Sequence, residues 1–342
     1  MTTAQVLILV AIAIYLLFML WIGWICAKKN ESVDDFYLGG RKLGPFVTAM
    51  SAEASDMSSW LLMGLPGVAY LTGLAEASWT AIGLVVGTYL NWLIVAKRIR
   101  RYSNRLNAIT VPQFFSKRWG DHRSLLSAVA AVVIIIFFIP YTASGFSACG
   151  KLFSTLFGMD YLTAMLISAA VIVIYTVMGG FLAATMSTAD SQLLAASSSV
   201  SQDLGNDFLK CNFSGKRGMI VARGVMLAIS AIAAFLARDP DSSVFRVVSF
   251  AWAGFGAAFG PVMLMALFWK RSNKWGALAG MLVGGIMVFV WKFLIAPLGG
   301  VWAIYELLPA FLCSLVAIVV VSLLTPAPEK SVVQVFEEVR QK

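Results

Sequence analysis

Charge and histidine are scarce: only 13% of the 342 residues are charged, and the one histidine is His122. A typical soluble domain carries ~25% charge, so an ordinary globular fold is excluded. A single histidine also excludes a histidine-based metal cluster. The four cysteines, Cys26, Cys149, Cys211 and Cys313, are scattered without CxxC spacing, so neither a zinc ribbon nor a disulfide framework follows. The first apolar run lacks the basic leader and small-residue cleavage site of a secretory signal. Its length is that of a spanning segment, so it is expected to be a retained helix. What fills the chain instead is apolar residue, 60% of the total with a mean hydropathy of +0.83. These values predict an all-α polytopic membrane protein. The net charge of +9 sits in short Lys/Arg clusters between apolar runs, the pattern of topology signals rather than of a nucleic-acid footprint.

Nine or ten membrane helices are expected. The first covers about residues 5–27 and ends at Lys28-Lys29, which with Arg41-Lys42 mark a cytoplasmic loop and leave the amino terminus outside. A helix over about 76–96 returns inward and delivers Lys97, Arg98, Arg100, Arg101 and Arg105 to the cytoplasm. The loop 97–123 is mixed enough to hold a short interfacial helix. Further spans are expected over about 125–148, 162–178, 219–237, 244–269, 277–294 and 307–324, followed by a charged, mobile cytoplasmic tail over 325–342.

One stretch breaks the pattern. Residues 44–70, GPFVTAMSAEASDMSSWLLMGLPGVAY, could cross a bilayer, yet carry Glu53 and Asp56 near the middle. An acid at the centre of a membrane helix costs ~2.5–3.5 kcal/mol on insertion scales, so it faces a cavity, a partner or an ion. Gly44-Pro45 opens the stretch and Pro66-Gly67 closes it. Between them Ser51, Ser55, Ser58 and Ser59 offer hydroxyls to backbone groups freed by a local break. This predicts a discontinuous helix that holds a cation. The plainer alternative is an Asp paired with a Lys or Arg on a neighbouring helix. Tyr141, in the polar patch PYTASG, is either an interfacial aromatic or a cavity residue. The glycine-rich SFAWAGFGAAFGP over 249–261 is either a tight packing face or a flexible, gated helix.

The motifs DDFYLGGRKLGPF, SAEASDMSSWLLMGLPG, ATMSTADSQLL and SFAWAGFGAAFGP resemble the sodium:solute symporter family, and within it the bacterial sodium/proline symporters. The resemblance runs over nearly the whole chain. It implies the inverted-repeat fold of the leucine transporter, with substrate and Na⁺ bound at midplane beside broken helices. It also implies that the backbone carbonyls of Ala54, Met57 and Ala184 and the hydroxyls of Ser187 and Thr188 bind Na⁺, with Asp56 nearby. Ser58 and Ser59 would face the proline carboxylate and Tyr141 would line the cavity. Ser59 stands where the family's proline carriers commonly have Gly. The implied activity is Na⁺/L-proline symport by alternating access in the bacterial inner membrane. Its partners are proline, Na⁺ and lipid, with no cofactor beyond the coupling ion, no enzymatic role and no nucleic acid.

The chain departs from the family after Gly179-Gly180, where further core helices are expected and YTVMGGFLA instead passes directly into ATMSTADSQ. The chain looks internally deleted there, so the fold is expected to be incomplete. The organisation expected is a single transmembrane domain, with an extra amino-terminal helix at 5–27 and a first part of the core at 44–200 fused at about 180–184. The rest of the core and a flanking helix follow at 219–294, then a last helix at 307–324. Charge adds a constraint: the basic stretches 97–123 and 210–217 should share one side, so residues 161–200 must cross once. If 161–180 uses up the ~30 Å core as one straight helix, Ser187 and Thr188 lie about 10 Å further on, far from Ala54 and Met57. The chain would then not transport proline. The alternatives are a symporter of another small solute, a non-transporting truncated membrane protein, or an intramembrane enzyme using Asp56 and Asp190 as paired acids.

Overall fold

A computed structural model describes residues 2–27, 44–56, 58–184 and 187–341. Among these every regular element is helical, as continuous apolar runs with internally satisfied backbone require. Among the described residues eight helices are long and apolar enough to cross a membrane, and one further helix is interrupted.

The chain begins with α1 (Thr3–Ala27). The interrupted helix is α2 (Pro45–Asp56), then a π-helical turn Trp60–Gly64 and α3 (Leu65–Thr72). Next come α4 (Leu74–Leu90), a π segment Asn91–Ala96 and α5 (Lys97–Arg105), which together make one long helix. The basic cluster is therefore the continuation of a span rather than a loop. The short α6 (Val111–Arg118) forms because Thr110 accepts from the Gln113 amide while the Gln113 side chain accepts from the Ile109 amide. That reciprocal capping fixes its start.

Two longer helices follow, α7 (Leu125–Phe157) and α8 (Tyr161–Ala184), the latter capped by Asp160, whose carboxylate accepts from the Thr163 amide and hydroxyl. Next is α9 (Thr188–Ser198), which continues as the π segment Ser199–Phe208. After it come α10 (Gly215–Leu236), α11 (Val244–Phe268), α12 (Lys274–Val290), α13 (Leu307–Leu324) and α14 (Lys330–Gln341).

Two compact units emerge. The first comprises Met1–Leu71, Phe138–Ser201 and Asn212–Val248. Its core joins Phe146, Met165, Leu193, Met226 and Ala233, and α8 packs on α1, α9 and α10. The second comprises Thr72–Phe137, Gln202–Cys211 and Ser249–Lys342, with a core of Phe114, Phe115, Trp119, Val262, Met281 and Ile318.

In the second unit small residues let helices touch. A Cβ on Gly284 would lie 2.2 Å from the Ala257 carbonyl oxygen, and one on Gly254 would meet the Phe137 ring at 2.3 Å. The 249–261 stretch is thus a packing face. The tail differs from expectation too. It forms α14, which buries Phe336 and Val339 in the core and pairs Glu338 with Arg105 at 3.1 Å.

Candidate functional site

The site forms where α2 stops. Ser58 has a φ of +44°, a left-handed conformation a serine rarely adopts, and its hydroxyl accepts from the Trp60 amide at 3.1 Å. A helix cannot pass through that conformation, so the Ala54 carbonyl and the Ser58 amide are free to bond outside the ladder. Thr188, at the first position of α9, takes up two of them: its hydroxyl donates to the Ala54 carbonyl at 2.9 Å and accepts from the Ser58 amide at 2.9 Å. One turn on, the Ser191 hydroxyl donates to that of Ser55 at 2.8 Å. From α7, Tyr141 donates to the Asp56 carbonyl at 3.4 Å and to the Ser58 hydroxyl at 3.3 Å.

Beneath this cluster lies Asp190, fully buried. Tyr175 donates to one carboxylate oxygen at 2.6 Å and Thr176 to the other at 2.8 Å. Tyr175 also donates to Ser187 at 3.3 Å, and Ser187 caps α9 by accepting from the Asp190 amide. Asp190 is therefore a carboxylate with a hydroxyl donor on each oxygen, and it braces the start of α9.

Tyr175 and Asp190 are 15 residues apart, which in a straight helix would part them by ~22 Å. Their hydrogen bond shows that α9 packs back against α8 instead of prolonging it in a straight line. The expectation that Ser187 and Thr188 lie about 10 Å beyond Ala54 is overturned by the 2.9 Å contact between Thr188 and Ala54. It fails because it assumed one uninterrupted helix from α8 into α9. At the far end of the same helix, in the second unit, Asp203 accepts from Thr110 at 2.5 Å and from Ser127 at 3.5 Å.

Of the residues singled out from sequence, Ala54, Ser58, Tyr141, Ser187 and Thr188 come together. Asp56 contributes its carbonyl to Tyr141, while the residue itself is exposed. Ser59 adjoins the break with its hydroxyl buried and without a hydrogen bond among the described residues. Ala184 ends α8. Met57 lies outside the described residues. Sequence reasoning missed Ser191, Tyr175 and Thr176. Ser191 had a signal, since it lies one helical turn after Ser187, whereas Tyr175 and Thr176 reach the site only because α9 packs back against α8.

The profile of the sodium:solute symporter family matches residues 36–185 and 181–284. Its two pieces overlap over 181–185, at the end of α8. The osmoregulated proline transporter OpuE of Bacillus subtilis is 31% identical over 480 aligned positions, covering 96% of this chain and 97% of the relative. The sodium/proline symporter of Escherichia coli is 32% identical over 487 positions, covering 96% and 95%. These alignments are far longer than the 342 residues of this chain, so both relatives carry an internal stretch that has no counterpart here. Among solved structures, a Na⁺-coupled sialic acid symporter in a substrate-bound outward-open state superposes with a TM-score of 0.74. It is 15% identical and covers 92% of this chain and 97% of its own. That likeness is one of fold, the leucine-transporter type.

Proposed function

Because this chain belongs to the sodium:solute symporter family, we propose that it couples Na⁺ entry to proline uptake by alternating access, as the names of its relatives indicate for them. The Na⁺ ligands in this reading are the carbonyls of Ala54, Met57 and Ala184 and the hydroxyls of Ser187 and Thr188, with Asp56 nearby. Na⁺ is a small hard cation, and neutral carbonyl and hydroxyl oxygens bind it without a field too strong for release. The observation that carries the reading is the Thr188 hydroxyl, which ties the broken helix to α9 through Ala54 and Ser58 at 2.9 Å each. Ser58, Ser59 and Tyr141 face the substrate in this reading: the left-handed break frees backbone, and the Ser59 hydroxyl has no hydrogen-bond partner among the described residues. The reading also takes the chain as one transmembrane domain of the bacterial inner membrane, amino terminus outside and carboxyl terminus cytoplasmic, as the Lys/Arg clusters favour.

A second reading is favoured by the alignment lengths: the chain binds Na⁺ but lacks the part of the cavity wall that would let it carry proline. Uptake of labelled proline into proteoliposomes separates the two. Accumulation driven by an inward Na⁺ gradient, with Thr188→Ala needing about tenfold more Na⁺ for half-maximal rate, is expected for the symporter. Uptake no faster with Na⁺ than with choline would leave only the second reading.

A further inference from the structure

Away from the proposed transport site, in the second unit, Arg118 at the end of α6 is 1% exposed. Its Nε donates to the Ala266 carbonyl at 2.8 Å, but both terminal nitrogens are buried without a hydrogen bond among the described residues. The rings of Tyr102, Trp119 and Phe336 surround the guanidinium at 5.4, 5.5 and 5.0 Å. They pack its faces and leave its edge unanswered. A guanidinium does not lose its proton in a protein, so the charge stays. The Tyr102 hydroxyl is likewise buried, with no hydrogen-bond partner among the described residues.

Both side chains line a cavity of about 210 Å³ bounded by α5, α6 and the start of α14. That is several times the ~30 Å³ share of one water. Lys117 and His122 line it as well, and Lys117 donates to the Asn107 carbonyl at 2.6 Å. Glu329 alone among the lining residues is acidic.

The geometry points to an oxyanion site here, built for a phosphate group. The Arg118 edge supplies the two-pronged donor that phosphate accepts, and the Tyr102 hydroxyl supplies another donor. The phosphate has two possible sources. Inorganic phosphate in solution is one. The other is the headgroup of an anionic lipid, since α5 continues a helix of membrane length into this region.

The test uses the full chain, purified in a phosphate-free detergent, with thermal unfolding followed at constant Na⁺ and ionic strength. Inorganic phosphate is titrated in one arm, and phosphatidic acid against phosphatidylcholine in detergent micelles in the other. Wild type is expected to show a saturable rise in Tm of about 2–4 °C with at least one probe. Response to inorganic phosphate identifies the soluble source, and response to phosphatidic acid alone the lipid. Arg118→Gln should abolish the response. Because a buried arginine can be needed for folding, Tyr102→Phe carries the test independently: it keeps the ring against Phe114 and removes only a hydroxyl with no hydrogen-bond partner among the described residues. Tyr102→Phe should leave the starting Tm unchanged and weaken binding at least about fivefold. Glu329→Gln should tighten binding. No saturable response to either probe, or the same response in wild type, Tyr102→Phe and Glu329→Gln, would overturn the assignment.

Discussion

Asp190 is the residue whose burial asks most of its surroundings, because a carboxylate inside an apolar bundle is tolerated only with donors on its oxygens. Tyr175 and Thr176 supply them. Tyr175→Phe removes the shorter bond at almost constant volume and should lower stability by about 1–3 kcal/mol, read as a lower Tm in detergent. An unchanged Tm would show that the bond does not hold α9 in place. At this scale the sequence was legible in part. Ser187 and Thr188 could be named from ATMSTADSQ, and Ser58 from the acid and hydroxyls in an apolar stretch. Tyr175 could not, because nothing in YTVMGG distinguishes a tyrosine facing lipid from one turned toward a carboxylate 15 residues on.

Helices follow the same division. Their existence was written in apolar runs bounded by basic clusters. Their ends were not: α7 extends to Phe157 and the basic run 97–105 stays helical. Charge near a helix end was read as loop, although Phe336 and Val339 at helical spacing were enough to seat α14 in the core. Glycine contacts give a sharper test. Gly284→Ala should destabilise by about 1–3 kcal/mol, since the added Cβ would meet the Ala257 backbone, which cannot swing aside as a side chain would. Gly83→Ala, with nothing within 4 Å, should not lower Tm. The cap of α8 adds a pH dependence. The Thr163 amide first, and then its hydroxyl, hold the Asp160 carboxyl below the usual carboxylate range. A depressed folded pKa contributes stability above the unfolded value of ~3.9 and loses it as pH falls through the folded value. Asp160→Ala should therefore unfold at a lower Tm than wild type at neutral pH, and the gap should close on acidification below that value.

For the whole molecule, exposed apolar faces on α1 and α4, such as Leu17, Phe18, Trp79 and Val85, are too extensive for water and suit a lipid solvent. Within that setting the internal shortening need not part the two halves of the proposed ion site, because α9 packs against α8 with Thr188 against Ala54. Counting helix rise along a straight rod could not foresee this, since rise fixes a helix's length and not where the chain turns. The proposed function turns on Na⁺ binding between the broken helix and α9 in a chain of this length. Equilibrium binding of ²²Na⁺ to the purified protein tests it most directly, with Thr188→Ala beside a Thr188→Ser control that keeps the hydroxyl. Binding should be saturable, displaced by excess Na⁺ and not by K⁺, weakened about tenfold in Thr188→Ala and near wild type in Thr188→Ser. Absence of saturable binding, or equal affinity in Thr188→Ala and wild type, would contradict it.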